Sequence, residues 1–216
     1  MAAGPAPVRL SKRARPRRAK RVGIFGGTFD PIHLGHLVCA EQLRDALGLD
    51  SLILIPCNRS PHKPTGRPAA SRHRLQMVRL AARGSRGLEV SDVEIKRGGV
   101  SYMVDTVRDL RARLGAGVEL WLLLGLDAFG DLGAWKEPQA VIRECFFGVA
   151  CRPGCKRVAV PKAAREKTRI VGITQVDLSS TDVRRRVAEG KSIRFLVPAP
   201  VEAYIRRHRL YRQPAG

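Results

Sequence analysis

Acidic residues are scarce in this sequence of 216 residues. Its 19 aspartates and glutamates stand against 40 lysines and arginines, which gives a formal net charge of +21 at pH 7. The sequence has no uncharged apolar run long enough to cross a membrane and no apolar segment typical of a secretory signal. Hydrophobic residues make up 44% and charged residues 27%. These are ordinary fractions for a globular protein, and they exclude collagen-like and wholly disordered chains.

The start of the chain carries much of the positive charge. Residues 1–21 contain no acid and eight basic residues: Arg9, Lys12, Arg13, Arg15, Arg17, Arg18, Lys20 and Arg21. Residues 1–20 also lack hydrophobic periodicity, so we expect a disordered basic tail, followed by one domain over residues 21–216. A transit peptide or an upstream start codon would give the same composition.

A chain this basic attracts polyanions. A basic nucleic-acid-binding protein is therefore one alternative, but such a protein would carry exposed aromatic residues and a recognisable module. Aromatic residues are only 5% of this sequence. We therefore expect nucleic acid to bind at most non-specifically, through the tail, and we expect no membrane partner.

The five cysteines are odd in number and show no framework spacing. We expect free thiols in a cytoplasmic protein. Cys151 and Cys155 form a C-x₃-C pair with no second pair or histidine nearby, so we expect no metal site there.

Apolar runs alternate with segments of helical periodicity along the whole chain. This alternation predicts an α/β fold with a doubly wound parallel sheet in a single domain. The predicted strands are Arg21–Phe25, Ser51–Pro56, Leu88–Ile95, Val118–Leu124, Phe146–Ala150 and Ile170–Val176. The predicted helices are 34–47, 71–83, Met103–Leu114, Ser180–Glu189 and Val201–His208. In such sheets a ligand binds beyond the carboxyl ends of the strands.

The first predicted strand runs into Gly26-Gly27-Thr28-Phe29-Asp30-Pro31-Ile32-His33-Leu34-Gly35-His36. Two glycines let the backbone approach a bulky ligand and expose N–H groups to it. His33 and His36 are three residues apart at a helix start, where the helix dipole favours an anion. This combination predicts a phosphate site; a zinc pair or two capping histidines are the alternatives.

Two other nucleotide-binding signatures are absent. The first turn lacks the G-x-G-x-x-G spacing of dinucleotide-binding folds, and the second strand ends in Pro56-Cys57-Asn58, with no acid to hold a ribose. Gly190-Lys191-Ser192 resembles the end of a P-loop, but Arg185 stands where its first glycine belongs.

The sequence resembles the nucleotidyltransferase superfamily, whose two signatures are H-x-G-H and ISSTxIR. The first matches His33-Leu34-Gly35-His36, and the second matches Leu178-Ser179-Ser180-Thr181-Asp182-Val183-Arg184. Four further segments are similar to the bacterial nicotinate-nucleotide adenylyltransferases: 56–63, 101–106, 124–138 and 196–211. The resemblance runs from Arg21 to Tyr211 and implies a Rossmann-like nucleotidyltransferase fold.

The resemblance implies an ATP site. It assigns catalytic roles to His33, His36, Lys63 and Arg184, and ATP binding to Gly26, Gly27, Thr28, Phe29, His33, His36, Gly125, Asp127, Ser180, Thr181 and Arg184. Without the resemblance, Ser180 and Thr181 could form a plain helix cap, and Asp127 could cap the helix that follows it. Ser60 departs from the proline found at that position of the family motif.

The resemblance also implies an acceptor site made of Thr28, Tyr102, Met103, Trp135 and Lys136. Trp135 matches a tryptophan that stacks on a pyridine ring, although an aromatic residue of this size is more often part of a core. Met103 stands where the family often has threonine, which leaves acceptor recognition by that side chain open.

The implied reaction transfers the adenylyl group of ATP to nicotinate mononucleotide and forms deamido-NAD and pyrophosphate. The implied metal is Mg²⁺ carried by ATP, with no permanent protein metal site. Nicotinamide mononucleotide and phosphopantetheine are the alternative acceptors, and the sequence leaves the oligomeric state open.

Overall fold

A computed structural model describes residues 19–61, 68–151 and 160–212. Within these ranges, six parallel strands form one sheet in the order β3-β2-β1-β4-β5-β6. The strands are β1 Lys20–Gly27, β2 Ser51–Pro56, β3 Leu88–Val90, β4 Val118–Gly125, β5 Cys145–Cys151 and β6 Thr168–Gly172. This is the doubly wound order of Rossmann-like folds, so the predicted fold class is confirmed.

Helices connect the strands and cover the sheet. They are α1 Leu34–Ala46, α2 Ser71–Ala82, α3 Val93–Arg97, α4 Met103–Leu114, α5 Leu126–Gly130, α6 Pro138–Glu144, α7 Ser180–Ala188 and α8 Ala199–Arg207. Two short 3₁₀ helices span Asp131–Ala134 and Lys162–Lys167. None of the described helices is long and apolar enough to cross a membrane.

The sheet is buried on both faces because apolar side chains point to both sides of its central strands. All six residues of β2 are buried. Alternate residues of β4 enter different cores: Leu122 packs in one cluster and Leu123 in the other. This explains why β2 and β4 are continuous apolar runs rather than alternating patterns.

The strand order reverses between β1 and β4. β1 pairs with β2 on one side, where Gly27 lies opposite Pro56, and with β4 on the other, where Ile24 lies opposite Leu122. The loops after these strands therefore open in opposite directions and leave a crevice at the carboxyl edge of the sheet.

Three element predictions need correction. The segment 88–95 is not a single strand, because β3 ends at Val90 and α3 begins at Val93. The last strand spans 168–172 rather than 170–176. α5 and α6 were not predicted, because helices of five and seven residues are too short to show a helical period.

The role predicted for Lys63 and most of the basic tail predicted over residues 1–20 fall outside the described ranges. The predicted tail extends one residue too far, because β1 already begins at Lys20. Cys39, Cys57 and Cys145 are free, as expected. Cys151 is disulfide-bonded, so the expectation of free thiols throughout is wrong at this residue.

Candidate active site

A cleft of about 2020 Å³ lies at the carboxyl edge of the sheet, above the point where the strand order reverses. Six segments of the described chain provide most of its lining: the loop after β1, the loop after β2, the start of α2, the segment before α4, the start of α5, and the segment leading into α7. The cleft contains the following predicted site residues: Gly27, Thr28, Phe29, His33, His36, Tyr102, Gly125, Asp127, Ser180, Thr181 and Arg184.

The two glycines at the end of β1 are closely approached by other residues. A Cβ atom at Gly27 would lie 3.1 Å from the ring of Phe29, and one at Gly26 would lie 3.1 Å from the Met103 methyl group. Phe29 has a left-handed backbone, with φ of 48°, which a bulky residue adopts only when its surroundings hold it there. The absence of side chains at Gly26 and Gly27 therefore leaves room for the side chains of Met103 and Phe29, respectively.

His33 and His36 form a stacked pair at the start of α1. Their ring centroids are 3.6 Å apart, with 28° between the planes. The backbone N–H of His33 donates to Nδ1 of His36 at 3.2 Å, and this geometry assigns the proton of a neutral His36 to Nε2. Gly35 leaves the space for this pair, because a Cβ there would lie 3.1 Å from Nδ1 of His33.

His33 is only 5% exposed, and burial lowers its pKa to about 4. It is therefore neutral at pH 7. Its Nδ1 has no hydrogen-bond partner within the described part of the chain. His33 is the N-cap residue of α1 and forms a capping box with His36, so the arrangement expected of two capping histidines is present. The described residues contain no group of three His, Cys, Asp or Glu side chains able to hold a metal ion, so the zinc alternative lacks a third ligand there.

The start of α7 is hydrogen-bonded to the loop after β1. Ser180 Oγ donates to the Pro31 carbonyl at 2.9 Å, and Arg184 Nη1 donates to the Asp30 carbonyl at 2.7 Å. Arg184 Nη2 also donates to Thr181 Oγ1 at 3.2 Å. These contacts bring both sequence signatures, about 150 residues apart, into one site.

Ser179, rather than Ser180, caps α7. Its Oγ accepts the backbone N–H of Asp182 at 3.1 Å and donates to the Asp182 carboxylate at 2.6 Å. The cap alternative for Ser180 is therefore not what the structure shows.

Asp127 lies exposed in the cleft, at the first turn of α5. The residue at the helix cap is Gly125, and no side chain caps this helix. The Asp127 carboxylate makes no hydrogen bond or ion pair with the described residues, which leaves both its oxygens open to a ligand.

Of the five predicted acceptor residues, Thr28 and Tyr102 line the cleft, whereas Met103, Trp135 and Lys136 do not. Lys136 Nζ lies 4.8 Å from the Tyr102 ring centroid and 3.2 Å from Asp105 Oδ2. Trp135 is half-buried and packs against the hydrophobic core on the α4 side of the sheet.

Sequence analysis missed Arg74, which is only 1% exposed. Its guanidinium donates to the carbonyls of Thr28 at 2.7 Å, Cys57 at 2.7 Å, Asn58 at 2.9 Å and Ala69 at 2.9 Å. It thereby joins the loop after β1 to the loop after β2. The spacing of α2 contained a signal for this burial. Arg74 stands one helical turn before Val78, so both residues lie on the buried face of the helix.

Glu94 was also missed. It is 3% exposed and accepts the Thr106 hydroxyl at 2.6 Å, and Thr106 in turn accepts from Arg97 at 2.9 Å. Burial raises the pKa of the Glu94 carboxyl. Glu94 and Arg97 on α3 thereby hold Thr106 on α4, the helix whose N-cap residue is Tyr102.

The chain matches known proteins over most of its length. The profile of the cytidylyltransferase-like family matches residues 24–186. A protein of Desulfatibacillum aliphaticivorans named as a probable nicotinate-nucleotide adenylyltransferase is 42% identical, over 88% of this chain and 99% of its own. The protein of that name from Thermomicrobium roseum is 44% identical, over 89% and 92%.

Solved structures share the fold. The nicotinic acid mononucleotide adenylyltransferase of Plasmodium falciparum, complexed with NaAD, matches with a TM-score of 0.70 at 17% identity, over 89% of this chain and 97% of that one. The sequence relatives, which match nearly end to end, confirm the resemblance drawn from the motifs. This chain therefore belongs to the nicotinate-nucleotide adenylyltransferases of the cytidylyltransferase-like family.

Proposed function

We propose that this chain transfers the adenylyl group of ATP to nicotinate mononucleotide, releasing pyrophosphate and forming deamido-NAD. The observation that carries the proposal is the joining of two helix starts in one cleft. The stacked pair of His33 and His36 lies at the start of α1, and Ser180 and Arg184 bind the loop that leads into it. Such a concentration of N–H donors and positive charge suits a polyphosphate.

On the ATP side, the roles follow from the donors that each group offers. His36 presents Nε2–H, because its Nδ1 already accepts a hydrogen bond. His33 is uncharged at pH 7, so it acts as a hydrogen-bond donor or acceptor rather than as a counter-ion. We assign charge neutralisation to Arg184, and to Lys63 from the loop after β2. Asp127, with its open carboxylate, suits the hydroxyls of a ribose.

The chemistry is an in-line displacement at phosphorus. An oxygen of the acceptor's 5′-phosphate forms a bond to the α-phosphorus of ATP, and the bond to pyrophosphate breaks. The attacking phosphate is ionised at pH 7, so we assign no general base. Catalysis comes from positioning and from stabilising the charge on the departing pyrophosphate.

We propose that Mg²⁺ enters as part of the substrate, bound to ATP. The described residues offer no cluster of three metal-ligating side chains, which supports an ion held mainly by phosphate oxygens and water.

On the acceptor side, we propose that Thr28, Tyr102, Met103, Trp135 and Lys136 surround the pyridine mononucleotide. The first-turn backbone N–H groups of α4, at Met103 and Val104, have no partner within the helix and suit a carboxylate. Recognition by backbone explains how a methionine can stand at this position. We also propose that residues 21–216 form one catalytic domain and that the enzyme acts in the cytoplasm.

The direct test measures pyrophosphate release with ATP and Mg²⁺, comparing nicotinate mononucleotide with nicotinamide mononucleotide. We expect a strong preference in kcat/KM for the nicotinate form. His36→Ala should lower kcat by about 100-fold or more, whereas His208→Ala, which changes an exposed histidine of the segment after α8, should not. A reversed preference would refute the acceptor assignment, and a near-normal kcat in His36→Ala would remove His36 from the transition state.

A further inference from the structure

The chain after α8 turns sharply back towards the cleft. The Leu210 N–H donates to the Ile205 carbonyl at 3.1 Å, closing a turn in which Arg209 has a left-handed φ of 51°. Tyr211 also has a left-handed φ, 63°. Glycine adopts this conformation more easily than other residues do. Holding Arg209 and Tyr211 in it therefore costs conformational energy, which the contacts of these residues must offset.

The contact that results is a partly buried hydrogen bond to the loop after β1. The Tyr211 hydroxyl donates to Asp30 Oδ1 at 2.7 Å, and the Ala69 N–H donates to the same oxygen at 3.1 Å. Asp30 is only 6% exposed. Burial and the nearby carboxylate raise the pKa of Tyr211, so its hydroxyl stays protonated and remains a donor.

Asp30 also faces Arg184. The Arg184 guanidinium donates to the Asp30 carbonyl at 2.7 Å, but it stays 3.7 Å from the carboxylate oxygen Oδ2. A charge-assisted hydrogen bond between such groups is normally about 2.7–2.9 Å. Arg184 is therefore held by the backbone of Asp30 and only loosely by its charge.

We propose that Tyr211 is a positioning residue for ATP: by donating to the Asp30 carboxylate, it keeps that carboxylate from capturing Arg184, which stays available to the phosphates. This inference rests on the proposed role of Arg184 in ATP binding. Loss of a donor destabilises a buried carboxylate, and a closer approach of Arg184, whose Nη1 is 3.7 Å from Asp30 Oδ2, would offset that loss.

The test compares Tyr211→Phe with Tyr204→Phe. The control also removes a hydroxyl: that of Tyr204 on α8, which lies 2.9 Å from Nδ1 of His73 on α2. Calorimetry measures the Kd for MgATP without any acceptor. It therefore tests the role of Tyr211 even if the acceptor has been misassigned. We expect Tyr211→Phe to raise the Kd for MgATP about tenfold and to raise KM for ATP more than KM for the acceptor. Tyr204→Phe should change none of these.

A second background separates positioning from packing. In Asp30→Asn the carboxylate charge is gone, so adding Tyr211→Phe should no longer weaken MgATP binding. An unchanged Kd in Tyr211→Phe, or an equal loss with and without Asp30→Asn, would overturn the inference. Wild-type protein that binds MgATP but turns over no pyridine mononucleotide would instead refute the proposed function alone.

Discussion

At the scale of single residues, the two histidines of one motif are held in different ways. His36 has its Nδ1 fixed by a backbone N–H. His33 is buried, and its Nδ1 has no partner among the described residues. Burial disfavours its charged form, because a buried imidazolium loses the hydration it has in water. Protonation of His33 therefore lowers the stability of the folded state relative to the unfolded chain.

This difference predicts a pH dependence of stability. The pKa of His33 is near 6.5 in the unfolded chain and about 4 in the folded protein. As the pH falls through this window, the unfolded state binds a proton that the folded state does not. The free energy of unfolding should fall by about 3 kcal/mol between pH 7 and pH 4 on account of His33.

Urea unfolding at both pH values measures this loss. His33→Gln should lose about 3 kcal/mol less than the wild type over that interval, whereas His208→Gln should follow the wild type. Parallel curves for His33→Gln and the wild type would contradict a neutral, buried His33.

At the scale of elements, two glycines inside strands differ in what surrounds them. A Cβ at Gly148 in β5 would lie 2.5 Å from a Leu47 methyl and 2.8 Å from a Leu123 methyl. A Cβ at Gly172 in β6 would meet nothing within 4 Å. The end of α1 thus packs closely over β5, and this packing fixes the helix whose first turn carries the histidine pair.

Replacing each glycine by alanine tests this packing. Gly148→Ala should lower the free energy of unfolding by about 1–3 kcal/mol, because the buried leucines must shift. Gly172→Ala should change it by no more than about 0.5 kcal/mol. Equal effects in chemical denaturation would show that α1 does not press on β5 as described.

At the scale of the whole molecule, the site depends on links between segments far apart in sequence. Arg74 reaches Thr28, 46 residues away, and Tyr211 reaches Asp30, 181 residues away. Arg74 is the larger of the two links, since four carbonyls from both sides of the cleft depend on one buried guanidinium.

Arg74→Met should therefore damage activity as well as stability. It leaves four carbonyls without their donor, so we expect a loss of about 3–5 kcal/mol in the free energy of unfolding. In protein that stays folded at low temperature, kcat/KM should fall at least about tenfold for both substrates. The matched variant Arg79→Met, on the same helix but half-exposed and paired with Asp92 at 3.2 Å, should keep near-normal kinetics. Normal kcat/KM in Arg74→Met would show that the loops hold their shape without it.

The sequence by itself determined the α/β class, most of the strands and long helices, and the two signatures that form the cleft. It could do so because burial imposes a period on a strand or helix, and because the two signatures resemble those of a known superfamily. Hydrophobic periodicity did not predict α5 and α6, because both helices are shorter than two helical turns.

Only the tertiary structure decided that Gly26 lies beneath Met103, that Arg74 joins two loops, and that the Tyr211 hydroxyl binds the Asp30 carboxylate. Each of these contacts pairs a side chain with a backbone or carboxylate that is remote in sequence. Local patterns record whether a residue is buried, but they do not record which partner the packed chain brings to it.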